Sequence, residues 1–210
     1  MPKRTIPVWG DRETKNRILD SATELFALNG FASISMNDIA KTVGIKAAAI
    51  YYHYECKEAL LEEIISRFEI GFRHYLEWLS SENKKAESLE ELMDNMFNEE
   101  FLYVLDPRGC LGTLLVLKEQ HNNESARRCV FELLYDHSIK SLQSDFDRLI
   151  EKGIIPQSDT KTLATVFMFF VLAGNNMRIC EYKGEEPPMD CVKTYTDVKK
   201  LFTAMLMQGN

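Results

Sequence analysis

The chain has 210 residues, 45% of them hydrophobic and 27% charged, with a formal net charge of −7. That composition belongs to a folded chain able to bury a core and excludes a disordered or low-complexity polymer. No stretch reaches the ~18–20 apolar residues of a membrane span, and no signal-peptide run follows Pro2, Lys3 and Arg4, so the expected location is the cytoplasm.

Residues 1–11 read as an arm, because Pro2, Pro7 and Gly10 oppose regular structure. Two readings stand for Lys3 and Arg4: a basic arm reaching a minor groove, or a solvated tail. A first helix is predicted over about 12–29. Its apolar stripe is Ile18, Leu19, Ala22, Leu25 and Phe26, and Asn29-Gly30 ends it. Lys15 and Arg17 near its start are placed to meet phosphate or to stand as solvated charges.

From Ser35 to Lys57 the pattern is two short helices around a sharp turn. Ser35 is an N-cap candidate with Asp38 as the acidic half of a capping box. Ile39, Ala40 and Val43 form the inner stripe, and Gly44 stands where a helix stops in a left-handed residue. The second helix carries Ile50 and Tyr54 on one side. Lys46, Ala47, Ala48, Ala49, Tyr51, Tyr52 and His53 are left on the other. Three small alanines pack poorly against a core but let a backbone approach a surface closely, as a helix entering a major groove must.

Arg17, Ile18, Leu19, Ala22, Leu25, Phe26, Gly30, Phe31, Ser35, Ile39, Ala40, Gly44, Ile50, Tyr51, His53, Lys57, Glu58 and Leu60 fall in register with one known pattern. On these residues the segment resembles the DNA-binding domain of TetR-family regulators. Lys46, Ala49, Tyr54 and Cys56 depart from that pattern, where Ser, Ser or Thr, Phe and Ser are usual. The resemblance implies an all-α chain: a three-helix helix-turn-helix reader in residues 1–56, then a larger helical regulatory and dimerisation domain in 57–210. It also implies a homodimer on a near-palindromic double-stranded operator, and a small-molecule inducer. By the same resemblance Tyr51, His53 and Lys57 hold phosphates, with Ser35 helping. Lys46 keeps two roles open, a guanine reader or a phosphate clamp.

Charge agrees with this division. Residues 1–57 hold eight Lys or Arg against six Asp or Glu, so the remainder carries the acidic excess. Beyond Lys57 a long helix is predicted to about Ser80, then a polar loop to Ser88 and an amphipathic helix through Phe101. Another runs from Pro107 to Asn122-Asn123, and a long one over 124–152 is closed by Gly153 and Pro156. Leu163–Ala173 is apolar all round and needs cover on every side. A connector over 184–188 leads to a last helix over about 190–207.

Phe68, Phe72, Tyr75, Met93, Met96, Phe97, Leu114, Phe131, Tyr135 and Met177 are the expected walls of an apolar inducer pocket, since Met and aromatics suit an adaptable surface. Phe167, Phe170, Val171, Gly174, Val198, Phe202 and Met205 are the expected dimer face, formed with the two-fold mate. No zinc spacing, nucleophile elbow, phosphate loop or paired-carboxylate pattern is present, so neither an enzyme nor a cofactor or metal is expected. His121 and His137 read as surface residues. The odd set of five cysteines reads as reduced thiols, with Cys110 either a structural thiol or a redox sensor. Asn175 and Asn176 fit a ligand contact or a dimer contact equally. The reading is a ligand-responsive repressor released from its operator by a small hydrophobic inducer. The alternative is an architectural or division-control protein that binds DNA without a ligand.

Overall fold

The computed structural model describes residues 14–97, 107–183, 185–186 and 191–207; within these, nothing is described of the side chains of 97, 107–110, 174–183, 191–192, 195 and 207. The described residues are helical, with no strand among them. They fall into two compact units, Met1–Ile64 and Ile65–Asn210.

The first unit contains α1 (Thr14–Asn29), a 3₁₀ turn (Phe31–Ser33), α2 (Met36–Val43), α3 (Ala47–His53) and the opening turns of α4 (Lys57–Asn83). Its core is the predicted one. Ile18, Ala22 and Phe26 of α1, Ile39 of α2, Ile50 of α3 and Leu60 of α4 are fully buried. Burying each large side chain is worth ~1.5–3 kcal/mol, so the helices are held by a shared interior more than by their own propensity. The Ser35 side chain accepts from the Asp38 backbone N–H while the Asp38 carboxylate accepts from the Ser35 N–H, completing a capping box. The Ser35 hydroxyl, which also donates to that carboxylate, and then the Ser35 N–H hold the Asp38 carboxyl below the usual carboxylate range. Gly44 is left-handed at φ 76°, and the Ile45 N–H reaches back to the Ala40 carbonyl at 2.9 Å. A Cβ here would be strained, which is why the turn takes glycine.

The second unit holds the rest of α4, α5 (Leu89–Phe97), α6 (Pro107–Glu119), α7 (Glu124–Arg128), a π-helical stretch (Cys129–His137), α8 (Ser138–Glu151), α9 (Thr160–Lys183) and α10 (Cys191–Met207). The helix predicted over 124–152 is continuous, but nine of its residues wind as π-helix. The Ser138 hydroxyl follows that winding and donates to the Leu133 carbonyl five residues back. Helix α9 packs on α8 and α6, and α10 packs on α5 and α9. Fully or nearly fully buried Leu92, Met93, Leu115, Val130, Phe146 and Ala164 make this core. Burial pushes the Cys129 thiol up to about 12, so it stays protonated and unreactive. Helix α4 extends to Asn83, three residues past the predicted end. Arg148 holds that end by donating to the carbonyls of Asn83 and Ala86.

Candidate nucleic-acid interface

Helix α3 is seven residues long and is held from below by Ile50. Lys46 precedes it in extended backbone, at φ −76° and ψ 143°, and its side chain caps nothing. That side chain is exposed and makes no hydrogen bond or ion pair among the described residues. Ala47 and Ala49 are half-buried, and Ala48 and His53 are exposed. Tyr51 is 54% exposed and Tyr52 is 87% exposed, the highest value among the large apolar side chains. The Tyr52 and His53 rings meet edge to face at 5.1 Å. Two large aromatic faces are thus left in water on one short helix, where the fold makes little use of them.

The electrostatics along α3 are graded. Its N-terminal end carries Lys46. Toward its C-terminal end Tyr51 and Tyr52 border a recess that also holds Glu55, and Glu63 in its pair with Lys15. The Lys46 end carries an exposed cation beside small alanines, which allow close approach.

Three cations expected on phosphates are instead engaged inside the unit. The Lys15 ammonium lies 3.0 Å from Glu63 and 5.4 Å from the centre of the Tyr54 ring. Arg17 donates to the Val43 carbonyl at 2.6 Å, tying α1 to the last turn of α2. Lys57 donates to the carbonyls of Phe31 and Ile34, both at 2.8 Å, and lies 4.2 Å above the Phe31 ring. The physical reason is common to Arg17 and Lys57. Helix ends and tight turns leave carbonyls without intrahelical donors, and a long cationic side chain nearby supplies them. Ser35 is likewise occupied, its hydroxyl bonded to Asp38. Cys56 plays the part that the usual serine would: its sulfur accepts the Ala59 N–H at 3.4 Å, capping α4.

In the second unit, Tyr75, Met93 and Met96 are buried, while Phe68, Phe72, Leu114 and Tyr135 are half-buried. Phe68 lies so close over α6 that a Cβ on Gly112 would stand 2.5 Å from its ring. Phe131 does not join them. It is 57% exposed, on the outside of the π-helical stretch, and its ring neighbour Tyr135 meets Phe169. The residues expected at the dimer face differ in burial, and Met205 among them is exposed. Phe167, Val171 and Phe202 are buried within one chain, with Phe167 and Phe202 packed edge to face at 5.8 Å. Phe170 and Val198 are half-buried. Among the described residues of α9 and α10, the large apolar side chains left in water are Val166, Phe169, Leu201 and Met205. Phe97, Cys110, Gly174, Asn175, Asn176 and Met177 lie outside the described side chains. No helix among the described residues is long and apolar enough to cross a membrane, and no cluster there could hold a metal ion.

Residues 18–64, the core of this reader, match the family of bacterial regulatory proteins named for TetR. The Bacillus subtilis protein named "Probable HTH-type transcriptional regulator YttP" is 29% identical over 150 residues, 67% of this chain and 64% of its own length. The biofilm operon icaADBC negative regulator IcaR of Staphylococcus epidermidis is 31% identical over 94 residues, 45% of this chain and 48% of that protein. These matches span less than two-thirds of either relative. The fold is shared with crystalline FadR of Bacillus subtilis in complex with stearoyl-CoA, at TM-score 0.64 and 21% identity over 93% of this chain and 98% of that one. On its helix-turn-helix, its capping and turn residues and this match, the segment over residues 18–64 belongs to the TetR family of bacterial regulatory proteins.

Proposed function

We propose that this chain is a one-component transcriptional repressor that acts in the cytoplasm. Two copies bind a near-palindromic duplex, each laying α3 in a major groove, and a small hydrophobic inducer releases them. The observation that carries this reading is the exposed face of α3, with Tyr51, Tyr52 and an uncommitted Lys46 that the fold does not use. Lys46 at the helix start lies nearest the bases and reads guanine, a contact class worth ~1–3 kcal/mol of discrimination. Tyr51, Tyr52 and His53 contact the duplex behind it. Repression is supported by IcaR, which is named a negative regulator.

The inducer class is supported by the buried Tyr75, Met93 and Met96 and by the fatty acyl ligand of FadR. Release requires only that the inducer prefer the conformation that cannot bind the duplex. Dimer pairing is assigned to Val166, Phe169, Leu201 and Met205, since an isologous interface buries each of them twice. A gel shift on the DNA upstream of the chain's own gene tests the reading. It should show one retarded species at a local palindrome, dissolved by long-chain acyl compounds. Uniform binding to scattered sites, insensitive to any such compound, favours the architectural alternative.

A further inference from the structure

Away from the apolar core, the second unit contains a cleft of about 680 Å³, lined mostly by polar residue types, between the last turns of α4 and helix α8. Ser80, Ser81 and Lys84 line it from α4, and Lys140, Ser141 and Ser144 from α8. The volume is that of a small-ligand site, but the lining is unlike an apolar inducer pocket. Leu76, Glu77 and His137 also line it, and the wall ends on Asp145 and Arg148.

That end is the informative part. Asp145 is 5% exposed, and its Oδ2 accepts from the Asn83 amide at 2.7 Å. Arg148 gives Nη1 and Nη2 to the carbonyls of Ala86 and Asn83. Its Nε, and the Oδ1 of Asn83, are buried without a hydrogen-bond partner among the described residues. Buried polar groups are nearly always paired, so unused capacity beside a cleft points to something that enters it. A carboxylate accepts hydrogen bonds only, so it suits hydroxyl groups on a ligand. The two lysines, both exposed, suit an anion nearer the mouth, Lys84 directly and Lys140 by exchanging its exposed surface pair with Asp136 at 2.8 Å for the ligand.

We propose that this cleft binds a small polyhydroxylated phosphate monoester of the sugar-phosphate class. Its hydroxyls lie toward Asp145 and the serines, and its phosphate lies between Lys84 and Lys140. The site is separate from the apolar inducer region and does not depend on the DNA-reading proposal. It lies on another face of α4, since Tyr75 and Leu79 are buried while Glu77 and Lys84 are exposed.

The test is isothermal titration of the full chain with glucose 6-phosphate, glucose and inorganic phosphate as probes. Glucose 6-phosphate should bind more tightly than either fragment. Lys84→Ala and Lys140→Ala change exposed side chains and leave the fold intact, which an unchanged melting temperature verifies. Each should weaken the ester about fivefold, and the pair about twentyfold, as partly solvated ion pairs allow. No heat with the ester overturns the proposal, as does parental affinity in the double variant. Equal affinity for inorganic phosphate or for glucose overturns it too, because one half of the proposed recognition is then absent.

Discussion

Lys57 distinguishes a brace from a phosphate clamp. Lys57→Met keeps the aliphatic stem over Phe31 and removes the ammonium that serves the Phe31 and Ile34 carbonyls. Hydrogen bonds to a charged donor are worth ~1.5–3 kcal/mol each, and a cation–π contact adds ~0.5–1. Lys57 is half-buried, so water replaces part of this, and the net loss is set at ~2 kcal/mol for the first unit. Native-state hydrogen exchange of the α2 and α3 amides reads that unit directly. A loss of ~2 kcal/mol accelerates their exchange about 30-fold where opening of the whole unit governs it. The salt dependence of DNA binding should stay as in the parent. Unchanged exchange, with the log–log salt slope reduced by ~0.9 per protomer, or ~1.8 for a dimer, would refute the brace and restore the clamp.

Lys46→Ala should relax preference at one position in each half-site, costing ~1–3 kcal/mol on the preferred duplex and little on random DNA, as competition binding would show. Phe169→Glu should give monomers in sedimentation, because a two-fold interface takes the charge twice, whereas an intact dimer would remove Phe169 from the interface. Gly112→Val should lower the melting temperature of the second unit through ~1–3 kcal/mol of overpacking against Phe68, and Phe68→Ala in the same chain should recover part of that loss. Ser35→Ala should destabilise α2 by ~1 kcal/mol. In the parent, the Asp38 contribution is present above the ordinary carboxylate pKa and fades as pH falls through its depressed value, seen as faster α2 exchange in acid.

Much of the reader was legible because its determinants are local. A capping box, a left-handed glycine and a 3.6-residue stripe each act within a few positions, and all appear where the pattern put them. The use of Arg17 and Lys57 was not legible, since their carbonyl partners lie 23 to 26 residues away in sequence. A cation written beside a helix-turn-helix looks the same whether it meets phosphate or backbone. Which residues of α9 meet water within one chain was not legible for another reason. Phe167, Met168, Phe169 and Phe170 are consecutive, so no polar residue marks which side meets water, and only packing on α8 and α10 decides it. Phe131, expected among the pocket walls for its residue type, is exposed on a stretch wound as π-helix. The Asn83–Asp145–Arg148 cluster joins positions more than 60 residues apart, and nothing local announces it.

The central claim is that the exposed face of α3 reads DNA sequence. Selection from a randomised duplex pool, run in parallel with the parent chain and with the Lys46→Ala, Tyr52→Ala double variant, tests it most directly. The parent should enrich an inverted repeat with two equivalent half-sites, and the double variant, folded by its melting curve, should lose that enrichment. An identical repeat recovered by both proteins would contradict the claim and move the reading surface elsewhere on the first unit.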